Sequence, residues 1–233
     1  MSKKILHIVT NVAHFATPNE KEPTGLWLGE ITHAYDEFAK QGYEQTIISP
    51  NGGNSPIEPK SLLPIVADRA VMAHYADPDF MELLRTTQKP SDINWQDYDV
   101  IYFTGGHGVM WDFLDNAQLQ TLTAQLYENG KIVASVCHGY CGLLNVKLSN
   151  GKHLMDGKKI TGFSWNEEKL AMVADKVPYN IEEKSRAQGA NYDKALVPFV
   201  SHVVVDDNQG ILITGQNPAS AKEVALKVIE KLI

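Results

Sequence analysis

Ile132-Val133-Ala134-Ser135-Val136-Cys137-His138-Gly139 (IVASVCHG) is the stretch on which the reading of this chain turns. Its first five residues are apolar or small, and three are β-branched, the pattern of a strand buried on both faces. The run ends abruptly on a cysteine. His138, Gly139, Tyr140, Cys141 and Gly142 follow, with enough small residues to turn the chain and open a helix. A nucleophile carried on a sharp strand-to-helix turn is a nucleophile elbow, here with sulfur where serine oxygen is usual. Such an elbow sits at the carboxyl end of parallel strands, where open α/β sheets bind ligands. A helix N-terminus beside the thiol would favour its thiolate. Cys141 falls one helical turn later and reads as packing, or at most as a resolving thiol.

Outward from this stretch, short apolar runs alternate with helical patterns. Residues 4–10, 45–49 and 99–103 read as further strands, and 159–162 as a short one. Residues 26–40 and 116–128 have helical spacing and stop at Gly42 and at Asn129-Gly130. Residues 203–206 and 211–214 flank the turn Asp207-Asn208-Gln209-Gly210 as a hairpin, and a terminal helix covers 218–233. Strands separated by helices pair in parallel and predict an α/β sandwich. Residues 52–95 break the rhythm: five prolines and weak periodicity, apart from 79–86, predict an inserted lid. The whole of 1–233 then forms one domain around that insertion. Within it, residues 62–66 (LLPIV) read as an edge strand under the lid.

At 233 residues, 43% hydrophobic, the chain can bury a substantial core without disulfides or metals. A net charge of -7 argues against nucleic acid, which needs a concentrated basic surface. No run of 18 apolar residues predicts a membrane span. The start, Met1-Ser2-Lys3-Lys4, leads into too short an apolar stretch for a secretory signal. Two cysteines make no disulfide framework, which suits a reducing cytoplasm.

Two more segments carry candidate chemistry. Thr104-Gly105-Gly106-His107-Gly108 directly follows the strand at 99–103. Its glycines let backbone amides approach a ligand, but neither a P-loop Lys-Ser/Thr nor GxGxxG follows. An oxyanion loop fits better, with amides from Gly106 and His138, and His107 on the pocket rim. In Gly25-Leu26-Trp27-Leu28-Gly29-Glu30, a carboxylate stands in an otherwise apolar first helical turn. Pointing inward against Trp27, Glu30 would have a raised pKa suited to moving protons; pointing outward, it is surface decoration. His138 adjoins Cys137, so the two side chains are expected to diverge, and it need not be the thiol's base. His14, His33, His74, His153 and His202 show no HxxxH or HxH spacing, so no metal is expected.

GLWLGE with Glu30, YFTGGHG with Gly106 and VASVCHG with Cys137 resemble, in order and spacing, the ThiJ/PfpI superfamily. More narrowly the chain is similar to its branch of small heat-shock and glutathione-independent glyoxalase (glyoxalase III) proteins. Residues 50–53 (PNGG), 161–163 (TGF) and 217–221 (NPASA) look like further signatures of that branch. The resemblance implies a flavodoxin-like three-layer sandwich, as in class I glutamine amidotransferases, and usually a homodimer. It implies Cys137 as nucleophile, Glu30 as the buried acid contacting it, and His138 as a triad histidine turned toward a third acid. That acid should lie in 161–168; the register favours Glu168, with Glu167 one residue away. The implied reaction converts methylglyoxal, a small reactive aldehyde, to lactate without glutathione, metal or cofactor. Release of glycation adducts from proteins is a related activity.

Other functions are weaker. A glutamine amidotransferase takes its histidine and glutamate from a His-x-Glu pair, and His202-Val203-Val204 has no such acid. A peptidase of the superfamily's other half builds its site across a hexamer interface that the insertion would crowd. A stress chaperone would use the apolar residues 62–66, and a redox sensor would oxidise Cys137.

Overall fold

Side-chain alternation along the strands explains the layers. In chain order the strands are β1 (Lys4–Ile8), β2 (Glu44–Ile48), β3 (Val100–Phe103), β4 (Ile132–Val136), β5 (Lys159–Ile160), β6 (Asn191–Tyr192), β7 (Val203–Asp206) and β8 (Ile211–Gly215). The helices are α1 (Leu28–Lys40), α2 (Arg69–Ala76), α3 (Pro78–Arg85), α4 (Val109–Asp112), α5 (Ala117–Glu128), α6 (Trp165–Leu170), α7 (Ile181–Ala187) and α8 (Ala221–Leu232). They come from a computed structural model that describes residues 2–16 and 22–233. Met1, at the head of the stretch read for a secretory signal, lies outside the described residues.

Six strands form one sheet in the order β2-β1-β3-β4-β8-β7, parallel except for β7, which returns antiparallel to β8. Ile5, Val100, Tyr102, Ile132, Ala134 and Ile213 point to one face, against Phe38 of α1 and Val224 and Val228 of α8. Leu6, Ile8, Ile101, Phe103, Val133 and Leu212 point to the other, against Leu119, Leu122 and Leu126 of α5. Both faces are covered, so the strands are apolar throughout rather than alternating. This is the expected α/β sandwich, flavodoxin-like in layers and strand order. No helix among the described residues is long and apolar enough to cross a membrane.

Elements with local start and stop signals come out as expected. Asn116 caps α5 by accepting from Leu119 N, and IVASV forms β4 without a residue's shift. Three details differ. The short strand at 159–162 is only β5, which pairs outside the main sheet with β6, too short for any alternation to announce it. The terminal helix begins with a 3-10 turn, Pro218–Ser220, before α8. Residues 62–66 are not an edge strand. They follow a 3-10 turn, Pro59–Leu62, and leave Ile65 90% exposed; Pro64 lacks the N–H a ladder needs.

The segment 52–95 is more ordered than its periodicity suggests. Asp68 caps α2 by accepting from Val71 N, and Asp77 caps α3. Val71, Phe80 and Leu84 pack with Leu28 and Ile31 of α1. Gln88 N donates to Ile47 O and Ser49 N to Gln88 O, so the segment's end covers the edge of β2. Its helices therefore lie beside α1, while Glu58, Lys60, Ile65 and Val66 reach the cavity described next.

Candidate active site

Cys137 follows β4 with φ of 55°, in the left-handed region that a non-glycine residue rarely occupies. That conformation tightens the turn and brings the next side chain back toward the sulfur. His138 Nδ1 lies 3.2 Å from Cys137 Sγ. The expected divergence of the two side chains is therefore wrong: neighbours diverge in extended chain, and this residue is not extended.

The far nitrogen of His138, Nε2, lies 2.8 Å from Glu168 Oε2, and both side chains are buried. Burial alone would raise the Glu168 pKa, but His138 and His107 outweigh it and hold the carboxyl well below its ordinary range. An ionised Glu168 accepts the Nε2–H of His138, which leaves Nδ1 as the acceptor facing the thiol. Burial, first of all, also keeps the His138 pKa low. A neutral imidazole thus points its lone pair at Sγ.

The sequence left Glu167 and Glu168 open, and the structure separates them. Consecutive residues on α6 point about 100° apart, so only one can face His138. Glu167 Oε2 accepts from Ser164 N and Oγ, and its Oε1 accepts from Phe199 N and Asn217 Nδ2. It ties the start of α6 to two loops beside the cavity.

Glu30 lies inside, as its inward reading requires, though its partners are Gly105 and Cys137 rather than Trp27. Gly105 N donates to Glu30 Oε2 at 2.6 Å. Burial raises the Glu30 pKa from 4.5 to about 8, against hydrogen bonds from Cys137 and Gly105 that lower it. Burial, and then the neighbouring Glu30, push the Cys137 thiol well above its ordinary value. The expected low-pKa thiolate is thus overturned. The helix that was to stabilise it is a 3-10 turn, Cys137–Leu143, and desolvation of the buried thiol acts against its help. Cys141, on the same turn, is buried with Tyr179 Oη donating to its sulfur at 3.3 Å, which is packing.

The glycine loop closes the site. Gly106 has φ of 100°, and a Cβ there would come within 2.1 Å of Gly25 O. Its amide has no hydrogen-bond partner among the described residues. Trp27 N donates to Gly105 O at 3.1 Å, and the Trp27 side chain helps line the cavity. His107 is not a free rim residue. Its Nε2 lies 2.8 Å from Glu168 Oε1, and its ring centroid is 4.3 Å from that of His138. His107, His138 and Glu168 bring ligand atoms within 4.8 Å of one another, a grouping that could hold a metal ion. Spacing could not reveal it, because the three come from three segments. Both Glu168 oxygens already accept an imidazole N–H, so the cluster satisfies itself.

A Cβ on Gly105 would sit 2.8 Å from Glu30 Oε2 and from His138 N, and 3.0 Å from Cys137 Cβ. Gly105→Ala is expected to cost about 100-fold in kcat, since displacements near 1 Å have that effect. Steady-state kinetics on a variant with an unchanged circular dichroism spectrum checks it.

Above the sulfur lies a cavity of about 520 Å³, walled also by Phe163, Val173 and Phe199. Phe163 belongs to the 161–163 signature, whereas Val173, Phe199, Glu58 and Lys60 carried no local signal; their placement follows from packing alone.

Residues 25–231 match the model of the DJ-1/PfpI family. The chain is 31% identical to the glutathione-independent glyoxalase HSP31 of Saccharomyces cerevisiae, over 90% of each chain. It resembles the crystal structure of glyoxalase III from Candida albicans with a TM-score of 0.88 and 28% identity, covering 98% of this chain and 96% of that one. The Rapid Encystment Protein of Francisella tularensis is similar with a TM-score of 0.92 and 35% identity, over 99% of each chain.

Proposed function

The chain belongs to the DJ-1/PfpI family, and from that premise we propose that it is a glutathione-independent glyoxalase that converts methylglyoxal to lactate. One observation carries this reading: a buried Cys137 Sγ with a neutral imidazole nitrogen 3.2 Å away and the buried Glu30 carboxyl beside it. The chemistry follows from these groups. His138 Nδ1 takes the thiol proton as sulfur adds to the aldehyde carbon, and the carbonyl electrons move onto oxygen. That oxygen sits on the amides of Gly106 and His138 and regains the proton, closing a hemithioacetal. Glu30, when ionised, removes the hydrogen of the former aldehyde carbon and returns it to the neighbouring carbon. As the electrons shift, the hydroxyl proton passes to the ketone oxygen. One carbon is oxidised to a thioester and its neighbour reduced to an alcohol, so no outside oxidant or reductant enters. Water then releases lactate and restores the thiol.

Residues 58–66 of the insertion act in this reading as a lid that limits water around the hemithioacetal. Lactate formation from methylglyoxal by the purified protein, with glutathione absent, is the test; an inert wild type would refute the reading. Glu168→Gln is expected to lower kcat by about 10²- to 10⁴-fold, because an amide no longer enforces the tautomer that presents Nδ1 to the thiol. Steady-state assays of that variant check the role.

The apolar side chains of Leu63, Ile65, Val66 and Phe199 are exposed, three of them at the cavity mouth, and favour a second reading as a holder of unfolded chains. Suppression of aggregation by Cys137→Ala would support it.

A further inference from the structure

Methylglyoxal fills only a small part of the space above Cys137. A cavity of about 520 Å³ is the size that engulfs a far larger ligand than a three-carbon dicarbonyl. Away from the sulfur its wall is largely hydrocarbon: Trp27, Ile65, Val66, Phe163, Val173 and Phe199 meet there from separate segments of the chain. The polar side chains among them are engaged within the protein. His33 Nε2 pairs with Asp68 at 3.0 Å, Lys60 Nζ with Glu22 at 3.3 Å, and Asn217 Nδ2 donates to Glu167 Oε1 at 2.9 Å. The Glu58 carboxyl is buried and accepts from Lys60 N. Such a wall favours a tail of carbon and hydrogen, whereas a hydroxylated tail would give up water there without a replacement partner.

The rings of this wall run outward from the reaction centre. Phe163 N donates to Cys137 O at 3.2 Å, and the Phe163 ring lies 4.5 Å from that of His138. The Phe199 ring lies 6.3 Å from that of Phe163. Exposure rises along the row from 1% at His138 through 6% at Phe163 to 48% at Phe199, so the row leads from the sulfur to the mouth. Phe199 is fixed there by its backbone. Its φ of 63° lies in the left-handed region, which is strained for a bulky residue, and Glu167 Oε1 accepts from its N at 2.8 Å. A strained aromatic residue held at a cavity mouth calls for a role for its ring. Methylglyoxal bonded to Cys137 through its aldehyde carbon ends in a methyl group two carbons on, too short to span the row.

We infer that this row is a subsite for an apolar tail, with Phe199 its specificity residue, and that the protein prefers 2-oxoaldehydes with a branched aliphatic tail to methylglyoxal. The C1 and C2 chemistry of such a substrate rests on the glyoxalase reading; the subsite itself does not. The tail lies along Phe163 and Phe199 and takes no part in the bond changes at Cys137. An isobutyl tail, as in 4-methyl-2-oxopentanal, has three more carbons than the methyl of methylglyoxal. Each carbon removed from water adds roughly fourfold to binding, and lengthening an alkyl group leaves the reactivity of the dicarbonyl nearly unchanged. The preference then falls at about 10- to 60-fold in kcat/KM.

Three substrates test this: methylglyoxal, 4-methyl-2-oxopentanal, and 3-deoxypentos-2-ulose, whose tail is of similar length but hydroxylated. Wild type should favour the branched aldehyde over both others by about 10-fold or more. Phe199→Asn removes the ring but keeps the backbone, because asparagine tolerates left-handed φ and retains the N–H that Glu167 accepts. It should cut the ratio of kcat/KM, branched aldehyde over methylglyoxal, by about 10-fold, while Phe199→Leu, still apolar, should keep most of it. The ratio cancels any general loss of activity in a variant. Turnover of all three aldehydes without preference, or a ratio that falls equally in both variants or in neither, would overturn the assignment. The product acids read the subsite apart from turnover. By calorimetry, wild type should bind 2-hydroxy-4-methylpentanoate about 10-fold more tightly than lactate, and Phe199→Asn should erase the difference. That outcome upholds the subsite even where wild type is inert on methylglyoxal, which would count against the glyoxalase reading instead. Equal binding of the two acids, or of neither, overturns it.

Discussion

Replacing Cys137 with serine is expected to lower lactate formation from methylglyoxal by about 10⁴-fold or more, with the fold intact. The surroundings are arranged for a sulfur nucleophile. His138 Nδ1 stands 3.2 Å from Sγ as a neutral base, and burial keeps the resting thiol protonated. An imidazole can take a proton from a thiol during attack, whereas a buried serine hydroxyl is a much weaker acid. Its alkoxide would also have to form beside Glu30. Serine is close in size, so the buried position that Cys137 fills beside Val136 and Phe163 stays occupied. Lactate assays and intact mass after methylglyoxal treatment check the expectation. Serine turnover near the wild-type rate would remove Cys137 from the reaction.

Glu30→Gln is expected to make the protein more stable and catalytically inert together. Burial raises the Glu30 pKa from 4.5 to about 8. Between those values the unfolded chain carries an ionised carboxylate and the folded protein a neutral acid, so folding takes up a proton. Stability from this group is complete below pH 4.5 and is lost as pH rises toward 8. At about 1.4 kcal/mol per pH unit, that gap amounts to roughly 5 kcal/mol. Glutamine does not titrate and keeps an oxygen for the Gly105 amide. The variant should therefore melt higher than wild type at pH 8.5, with an advantage that shrinks toward pH 5. An amide cannot carry hydrogen from one carbon to the next, so kcat should fall by about 10³-fold. For wild type, kcat/KM should rise with pH through about 8, as the base form of Glu30 fills. Thermal melts and rate profiles from pH 5 to 9 read both effects; a variant less stable than wild type at pH 8.5 would mean that Glu30 is buried ionised.

Much of the architecture was legible because it is written locally. A strand buried on both faces must be apolar at every position, so 132–136 announces itself, and Asn116, Gly42 and Asn129-Gly130 mark helix ends with single residues. The elbow, the glycine loop and the lone carboxylate at Glu30 are likewise runs of neighbours whose chemistry is visible without a partner. Less legible were α2, whose start depends on Asp68 and whose apolar face is narrow, and β6, which has only two residues.

The sequence by itself determined that this is an α/β sandwich with Cys137 at a strand end, a glycine loop one strand away and Glu30 in reserve. Only the tertiary structure decided which groups meet. The left-handed backbone of Cys137 turns His138 back to the sulfur, and the angle between consecutive residues of α6 sends Glu168 to His138 and Glu167 to Phe199 and Asn217. Burial, a property of everything packed around a group, moved the Glu30 and Cys137 pKa values upward. Local sequence encodes what a segment can form; the distances and the desolvation that make a site from several segments arise only when they pack.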